Sequence, residues 1–353
     1  MFALGGAGSA PRRPRWGLWL VLSAGLLPLL FVAWAAVAVY RPEDPGSRAE
    51  TRVVVRPGMT ADGVANLLRR DGIIRSAWWF RALVRVRHDA PLLQAGTYLF
   101  GRGMGIAAIL RALVDGRVAV VRVVVPEGWT TSRVVSALTL HHLGPRRGLL
   151  AAARASVVLR QTGLPLPGRG VRFALEGYLF PATYDFPLGA TPLQVMSIMV
   201  HRFQQAWTPA LARTAARRTR LTMEETVTLA SIVQSEVRSP SEMAVVAGVY
   251  LNRIRRGMDL NADPTVLYGL GLLGTQTSAL TAAELASHSP YNTYRRRGWP
   301  PGPICNPGLA ALRAAADPAR VSALYFLTTP SGRLVLASSL RQQIANAHRY
   351  GVG

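Results

Sequence analysis

Residues 222–240 read TMEETVTLASIVQSEVRSP, from Thr222 to Pro240. Thr222 followed three residues later by Glu225 is a capping box, so a helix starts here. Leu229, Ile232, Val233 and Glu236 recur at i, i+3, i+4 and i+7, one stripe of that helix. The apolar stripe therefore ends on a carboxyl group. A charge in such a place must be neutralised, paired or solvated. Desolvation raises a carboxyl pKa toward what a general acid needs near neutral pH. The plainer alternative is a glutamate at a helix end that leans into water beside Arg238.

Other helix starts surround this one. Thr191-Pro192, Asp263-Pro264 and Asn306-Pro307 each pair a cap with proline at the first helical position, and Ser239–Glu242 and Thr281–Glu284 are further capping boxes. Near the end, two short strands (323–328 and 333–337) flank Pro330-Ser331-Gly332, and a closing helix follows. Residues 122–353 thus read as a mainly α domain with a few strands. Upstream, Thr51–Val55 alternates like a strand and ends at Pro57-Gly58. Thr60 and Ser76 can cap two helices, and residues 96–100 read as a second strand. A helix over 106–114 and a β-branched run over 118–125 follow. This β-α-α-β order over residues 51–121 resembles a LysM-like carbohydrate-binding module; a spacer and packing domain is the alternative. The fold class expected is α+β.

The chain has 353 residues and a formal charge of +23, half its residues are hydrophobic, and it contains no lysine. A wholly disordered chain is excluded, as are a Schiff-base lysine and a P-loop lysine. One cysteine, Cys305, excludes an internal disulfide and reads as a small filler between prolines. Six scattered histidines suggest no metal site, and no cofactor is expected.

The segment from Gly17 to Tyr40 carries no charge. At about 1.5 Å per residue it covers roughly 36 Å, enough to cross a hydrocarbon core of about 30 Å. Arg12, Arg13 and Arg15 precede it, so residues 1–16 are expected in the cytoplasm and everything after Tyr40 outside. A cleaved signal peptide is the alternative, but its apolar core is usually about 7–15 residues long. Residues 41–50 read as a linker. The expectation is a single-pass protein of the inner (plasma) membrane with an extracytoplasmic body. The positive charge then points to an anionic wall polymer and not to nucleic acid.

Three blocks combine polar groups with aromatics: residues 176–186 (EGYLFPATYDF), 261–271 (NADPTVLYGLG) and 289–294 (SPYNTY), the last continuing to PPGPICNPG at 300–308. Aromatic faces suit the C–H faces of sugars, and their polar tips suit hydroxyls. Taken with LASIVQSE (229–236) and VYLNRIRRGMDLNADPTVLYGLG (249–271), in this order, the chain resembles the endolytic murein transglycosylase family, YceG-like. The resemblance implies internal cleavage of peptidoglycan between MurNAc and GlcNAc, with a 1,6-anhydro-MurNAc end, by a lyase that terminates or releases nascent strands. It implies penicillin-binding synthases as neighbours. It places the catalytic carboxyl at Glu236. Family members often carry a glutamate where this chain has Gln234, which leaves Glu236 alone for the proton. One carboxyl suffices if the sugar's own C6 hydroxyl attacks, whereas an ordinary glycosidase uses two. Substrate contacts are expected from Glu176, Tyr178, Asp263, Thr265, Tyr268, Tyr291, Asn292 and Tyr294. Glu176 reads as a structural or substrate-orienting partner, and Asp263 mainly as a helix cap that shapes the cleft. Leu334 and Gln343 stand where the family often has histidines: either those places are peripheral, or substrate grip differs. A hydrolase, in which water attacks, and a non-catalytic scaffold are the alternatives.

Overall fold

The structure, a computed structural model, describes residues 29–42, 44, 46, 49–275 and 279–352. Of the expected membrane span, residues 17–28 lie outside the described residues, as does the cytoplasmic segment 1–16. Residues 29–40 are helical (α1). Among the described residues, no helix is long and apolar enough to cross a membrane.

The chain divides into two compact units, one up to Ala119 and one from Val120. In the first, β1 (Glu50–Val55) pairs antiparallel with β2 (Gly96–Gly101), with Val53 opposite Tyr98. Between them lie α2 (Ala61–Arg70) and α3 (Ala77–Arg87), and α4 (Ile106–Val114) follows. The β-α-α-β order read from the sequence is present. Thr60 caps α2 by accepting from the Gly63 amide at 3.1 Å, whereas Ser76 makes no capping bond with its side chain. Val53, Leu68, Phe80, Tyr98, Phe100 and Leu113 fill this unit's own core.

The second unit opens on β3 (Val120–Val125), which pairs antiparallel with β4 (Ala182–Pro187). Arg122 and Asp185 face each other across this ladder in a bidentate pair at 2.7 and 2.9 Å. Helices α5 (Thr131–Leu140), α6 (Arg146–Arg154) and α7 (Val157–Thr162) lie between the strands. Then come α8 (Pro192–Ala206), α9 (Pro209–Arg218), α10 (Met223–Glu236), α11 (Pro240–Arg255), α12 (Asp263–Leu270), α13 (Ala282–Leu285) and α14 (Leu309–Ala316). A hairpin of β5 (Tyr325–Thr328) and β6 (Leu334–Ala337) and the helix α15 (Leu340–Tyr350) close the chain.

Helix α10 is the centre of this unit. Its capping box forms as read: Thr222 accepts from the Glu225 amide, and Glu225 accepts from the Thr222 amide at 2.8 Å. The single stripe expected from the sequence does not describe it, because every residue from Thr226 to Val233 is buried. A helix buried all round is a core helix, not an amphipathic one. Two of its buried polar side chains, Thr226 and Ser231, are tolerated because they find partners. Thr226 donates to the Thr222 carbonyl, and Ser231 both donates to the Thr228 carbonyl and accepts from the Ile304 amide. Three other expected starts differ. Ser239 makes no cap bond and instead meets Ser241 at 2.9 Å; α12 is capped by Ala262; α14 is capped by Gly308. In the last two cases Asp263 and Asn306 are engaged elsewhere.

Block 176–184 turns at Gly177, where φ is +86° and an added Cβ would lie 2.6 Å from Pro303 Cγ. Only glycine lets this block pack against block 300–308. Gly177→Ala is expected to destabilise the protein by about 1–3 kcal/mol, read as a lower urea midpoint.

Candidate active site

Glu236 is the last residue of α10, where the buried helix meets a cleft of about 340 Å³. The cleft walls come from α11, the start of α12, the loop bearing Tyr294, strand β5 and helix α15. Tyr250 of α11 donates to Glu236 Oε1 at 2.6 Å. Asp263, the first residue of α12, accepts from the Tyr294 hydroxyl at 2.5 Å. Arg253, one turn after Tyr250, donates to the Asp259 carbonyl at 2.8 Å and stacks over Tyr325 at 5.1 Å.

The electrostatics follow from this crowding. Part of Glu236 reaches solvent through the cleft, yet its carboxyl is desolvated enough that the pKa is pushed up to about 7. The Tyr250 hydrogen bond opposes that shift, and the nearby Asp263 charge adds to it. Burial and the Glu236 carboxyl hold the Tyr250 hydroxyl well above its ordinary value, so it stays a donor. A carboxyl poised near 7 can both give and take a proton at neutral pH.

The expected substrate contacts divide into two groups. Asp263 and Tyr294 stand in the cleft with Glu236. Glu176, Tyr178, Thr265, Tyr268, Tyr291 and Asn292 are buried in the interior. Asp263 is not the helix cap the sequence suggested; its carboxylate holds Tyr294. Thr265 and Asn292 support that arrangement from behind. Thr265 donates to the Ala262 carbonyl at 2.6 Å, and Asn292 accepts from the Tyr294 amide at 3.0 Å while donating to the Leu285 and Ser287 carbonyls.

Glu176 is a buried junction. It accepts from the Thr131 amide at 2.8 Å, the Thr131 hydroxyl at 3.0 Å and the Tyr268 hydroxyl at 2.8 Å. Asn306 reaches it at 3.4 Å and also accepts from the Leu179 amide. Burial pushes the Glu176 pKa to about 7 despite these donors and Arg172. Tyr178 packs edge-on against Phe203, and Tyr291 packs edge-on against Tyr268. Gln234 accepts from the Gly308 amide at 2.9 Å, so it ties α10 to block 300–308.

The sequence reading did not single out Tyr250, Arg253, Asn261, Tyr325 or Phe326, all of which line the cleft. Tyr250 and Arg253 were visible as an i, i+3 pair on α11. Nothing local in the sequence points Tyr325 at Glu236. Gln343 lines the cleft as well: it donates to the Phe326 carbonyl at 2.9 Å, and its Oε1 is buried with no hydrogen-bond partner among the described residues. Leu334 packs at the edge of the main core.

The YceG-like family profile matches residues 53–349. The chain belongs to the YceG-like family. It is 26% identical over 322 residues to a Bacillus subtilis (strain 168) protein named endolytic murein transglycosylase, covering 89% of this chain and 88% of that one. A Streptococcus pneumoniae (strain D39) protein of the same name is 26% identical over 308 residues; the match covers 81% of this chain and 55% of the longer relative. Among solved structures, a putative YceG-like protein of Listeria monocytogenes superposes with a TM-score of 0.58 at 26% identity, covering 84% of this chain and 99% of that one.

Glu176 and Glu236 both titrate near 4.5 in an exposed setting and near 7 in the fold. Folding therefore favours their neutral forms. That contribution is complete below pH 4.5 and is lost as pH rises to about 7. Urea midpoints should fall across that window, and Glu176→Gln should shrink the fall.

Proposed function

We propose that this chain is an endolytic murein transglycosylase that cleaves the MurNAc–GlcNAc bond of nascent peptidoglycan and leaves a 1,6-anhydro-MurNAc end. The observation that carries the reading is Glu236: one desolvated carboxyl, near pKa 7, at the base of a cleft walled by tyrosines. The curated relatives' names and the family match support it.

The reaction balances with this one carboxyl. Tyr250 occupies Oε1 as a donor, which leaves Oε2 to carry the proton. Glu236 gives that proton to the glycosidic oxygen as the C1–O bond breaks. The C6 hydroxyl of the same sugar closes on C1, and its proton returns to Glu236. No water is consumed, and the carboxyl ends protonated. The attacking hydroxyl is tethered to the reacting sugar, which lowers the entropic barrier that a free water would face. The Tyr250 hydroxyl steadies the carboxylate between the two proton transfers. The Asp263 carboxylate raises the Glu236 pKa and offers negative charge to the cation developing at C1. Tyr294, held by Asp263, presents a ring and hydroxyl to a sugar.

In this reading residues 17–40 anchor the chain in the inner membrane, with residues 1–16 cytoplasmic and the body extracytoplasmic. The 51–121 module, LysM-like in order, lies between anchor and catalytic domain as a glycan-binding or spacer element. Strand-polymerising penicillin-binding synthases are the proposed neighbours, since they produce the substrate.

Two measurements test the proposal. Digestion of nascent glycan should yield anhydro-ended fragments by mass spectrometry, and Glu236→Gln should lose them by at least about 10²-fold. Fragments heavier by one water would make the chain a hydrolase, and cellular function intact in Glu236→Gln would make it a scaffold. The protonated form is the active acid, so kcat/KM should fall as pH rises through about 7. Tyr250→Phe removes a bond that lowers the Glu236 pKa, so that limb should move to higher pH.

A further inference from the structure

On the face of α11 opposite Tyr250 and Arg253 lies a second cavity, of about 510 Å³. Its walls carry four arginines, Arg217 and Arg218 from α9, Arg255 from α11 and Arg320 from the segment before β5, against one carboxylate, Asp317. Asp317 is taken: it pairs with Arg218 at 2.6 Å. Arg217, Arg255 and Arg320 make no hydrogen bond, ion pair or ring contact through their side chains among the described residues. Like charges gathered around a concavity repel one another and raise the local concentration of anions.

The floor beneath them is rigid. The Ala319 amide donates to the Ala244 carbonyl at 2.9 Å, and Asn252 donates to the Val321 and Ala323 carbonyls at 2.7 and 3.1 Å. At Gly248 an added Cβ would lie 2.4 Å from the Ala319 carbonyl oxygen, so helix and segment approach as closely as backbone allows. The cavity is thus a fixed feature of the fold with exposed guanidinium groups around it.

One stretch of chain borders both depressions. Ser322 lines the arginine cavity and Tyr325 lines the Glu236 cleft. Two residues, Ala323 and Leu324, separate them, so the three Cα steps span at most about 11 Å of chain. A tetrapeptide hanging from a sugar seated in the cleft reaches about 13–14 Å when extended.

We propose that the arginine cavity binds the carboxylates of the peptidoglycan stem peptide, and so makes the enzyme prefer strands that still carry their peptides. This deepens, and rests on, the reading of the Glu236 cleft as the glycan-cleaving site. Stem peptides carry several carboxylates along a short backbone, and guanidinium groups pair with carboxylates in bidentate geometry. The cavity's volume and its surplus of three cations suit such an oligo-anion better than a single small ion.

Full-length protein in detergent is given peptide-bearing glycan strands and the same strands stripped of peptide by an amidase. The wild type should cleave the peptide-bearing strands with kcat/KM at least about tenfold higher, mainly through KM. In Arg217→Gln/Arg255→Gln/Arg320→Gln that preference should collapse while cleavage of stripped strands is unchanged. Equal cleavage of both substrates by the wild type, or a preference that survives the triple substitution, overturns the proposal. A direct arm uses calorimetry with a synthetic stem tetrapeptide. It should bind wild type and Glu236→Gln alike, and the triple variant at least about tenfold more weakly. Binding that persists in Glu236→Gln while cleavage fails on both substrates separates this site from the catalytic reading. Binding of inorganic diphosphate with no binding of the tetrapeptide also overturns it, in favour of a phosphate site. A single Arg255→Gln variant, with its thermal midpoint checked against wild type, repeats the reading if the triple variant does not fold.

Discussion

The burial of α10 is the constraint from which the rest follows. Eight consecutive residues, Thr226 to Val233, are enclosed on every side, so the helix cannot shift without opening the core. That fixes the position of its last residue. Glu236 sits where the enclosure ends, close enough to the interior to lose most of its hydration and close enough to the cleft to meet a ligand. A carboxyl on a surface helix would keep its ordinary pKa; a carboxyl one turn deeper would be shut away. The helix terminus gives the intermediate case, and Tyr250 and Asp263 adjust it in opposite directions.

A second layer holds the cleft's parts in register. The Glu176 junction gathers the start of α5, the end of α12 and block 300–308 around one buried carboxyl. Gln234 ties that same block back to α10. Glu176 and Gln234 do not line the cleft; they hold together the elements that do. Buried polar groups of this kind are tolerated only when nearly every donor and acceptor is satisfied, which makes the network specific to one arrangement.

The sequence revealed the ends of elements better than their surroundings. The cap read at Thr191 and the capping boxes read at Thr222 and Thr281 form because their hydrogen bonds close within four residues. The boxes and caps read at Ser239, Asp263 and Asn306 do not, because nearby partners compete for those side chains: Ser241, Tyr294 and the Leu179 amide. Glu236 was legible as a carboxyl closing an apolar run. The tyrosines were not separable by sequence. Tyr268 and Tyr291 are interior, whereas Tyr250 and Tyr325 face the cleft, yet Tyr268 sits in an apolar stretch just as Tyr250 and Tyr325 do, and Tyr291 sits in a polar one. What sorts them is tertiary packing between elements as much as 75 residues apart, such as α11 and β5, which no local spacing encodes.

The cleft has walls of unequal firmness. On one side stands α11, anchored in the main core through Met243, Val246, Ala247 and Tyr250. On the other stands α15, which buries no residue completely and leaves Leu340 and Ile344 half in water. Local opening follows the number of buried contacts that must be broken, so the C-terminal wall is the one that yields first. An enzyme that cuts within a long polymer cannot thread it from a free end; the strand has to be laid in from the side. A trench with one fixed bank and one compliant bank accepts such a strand without displacing Glu236.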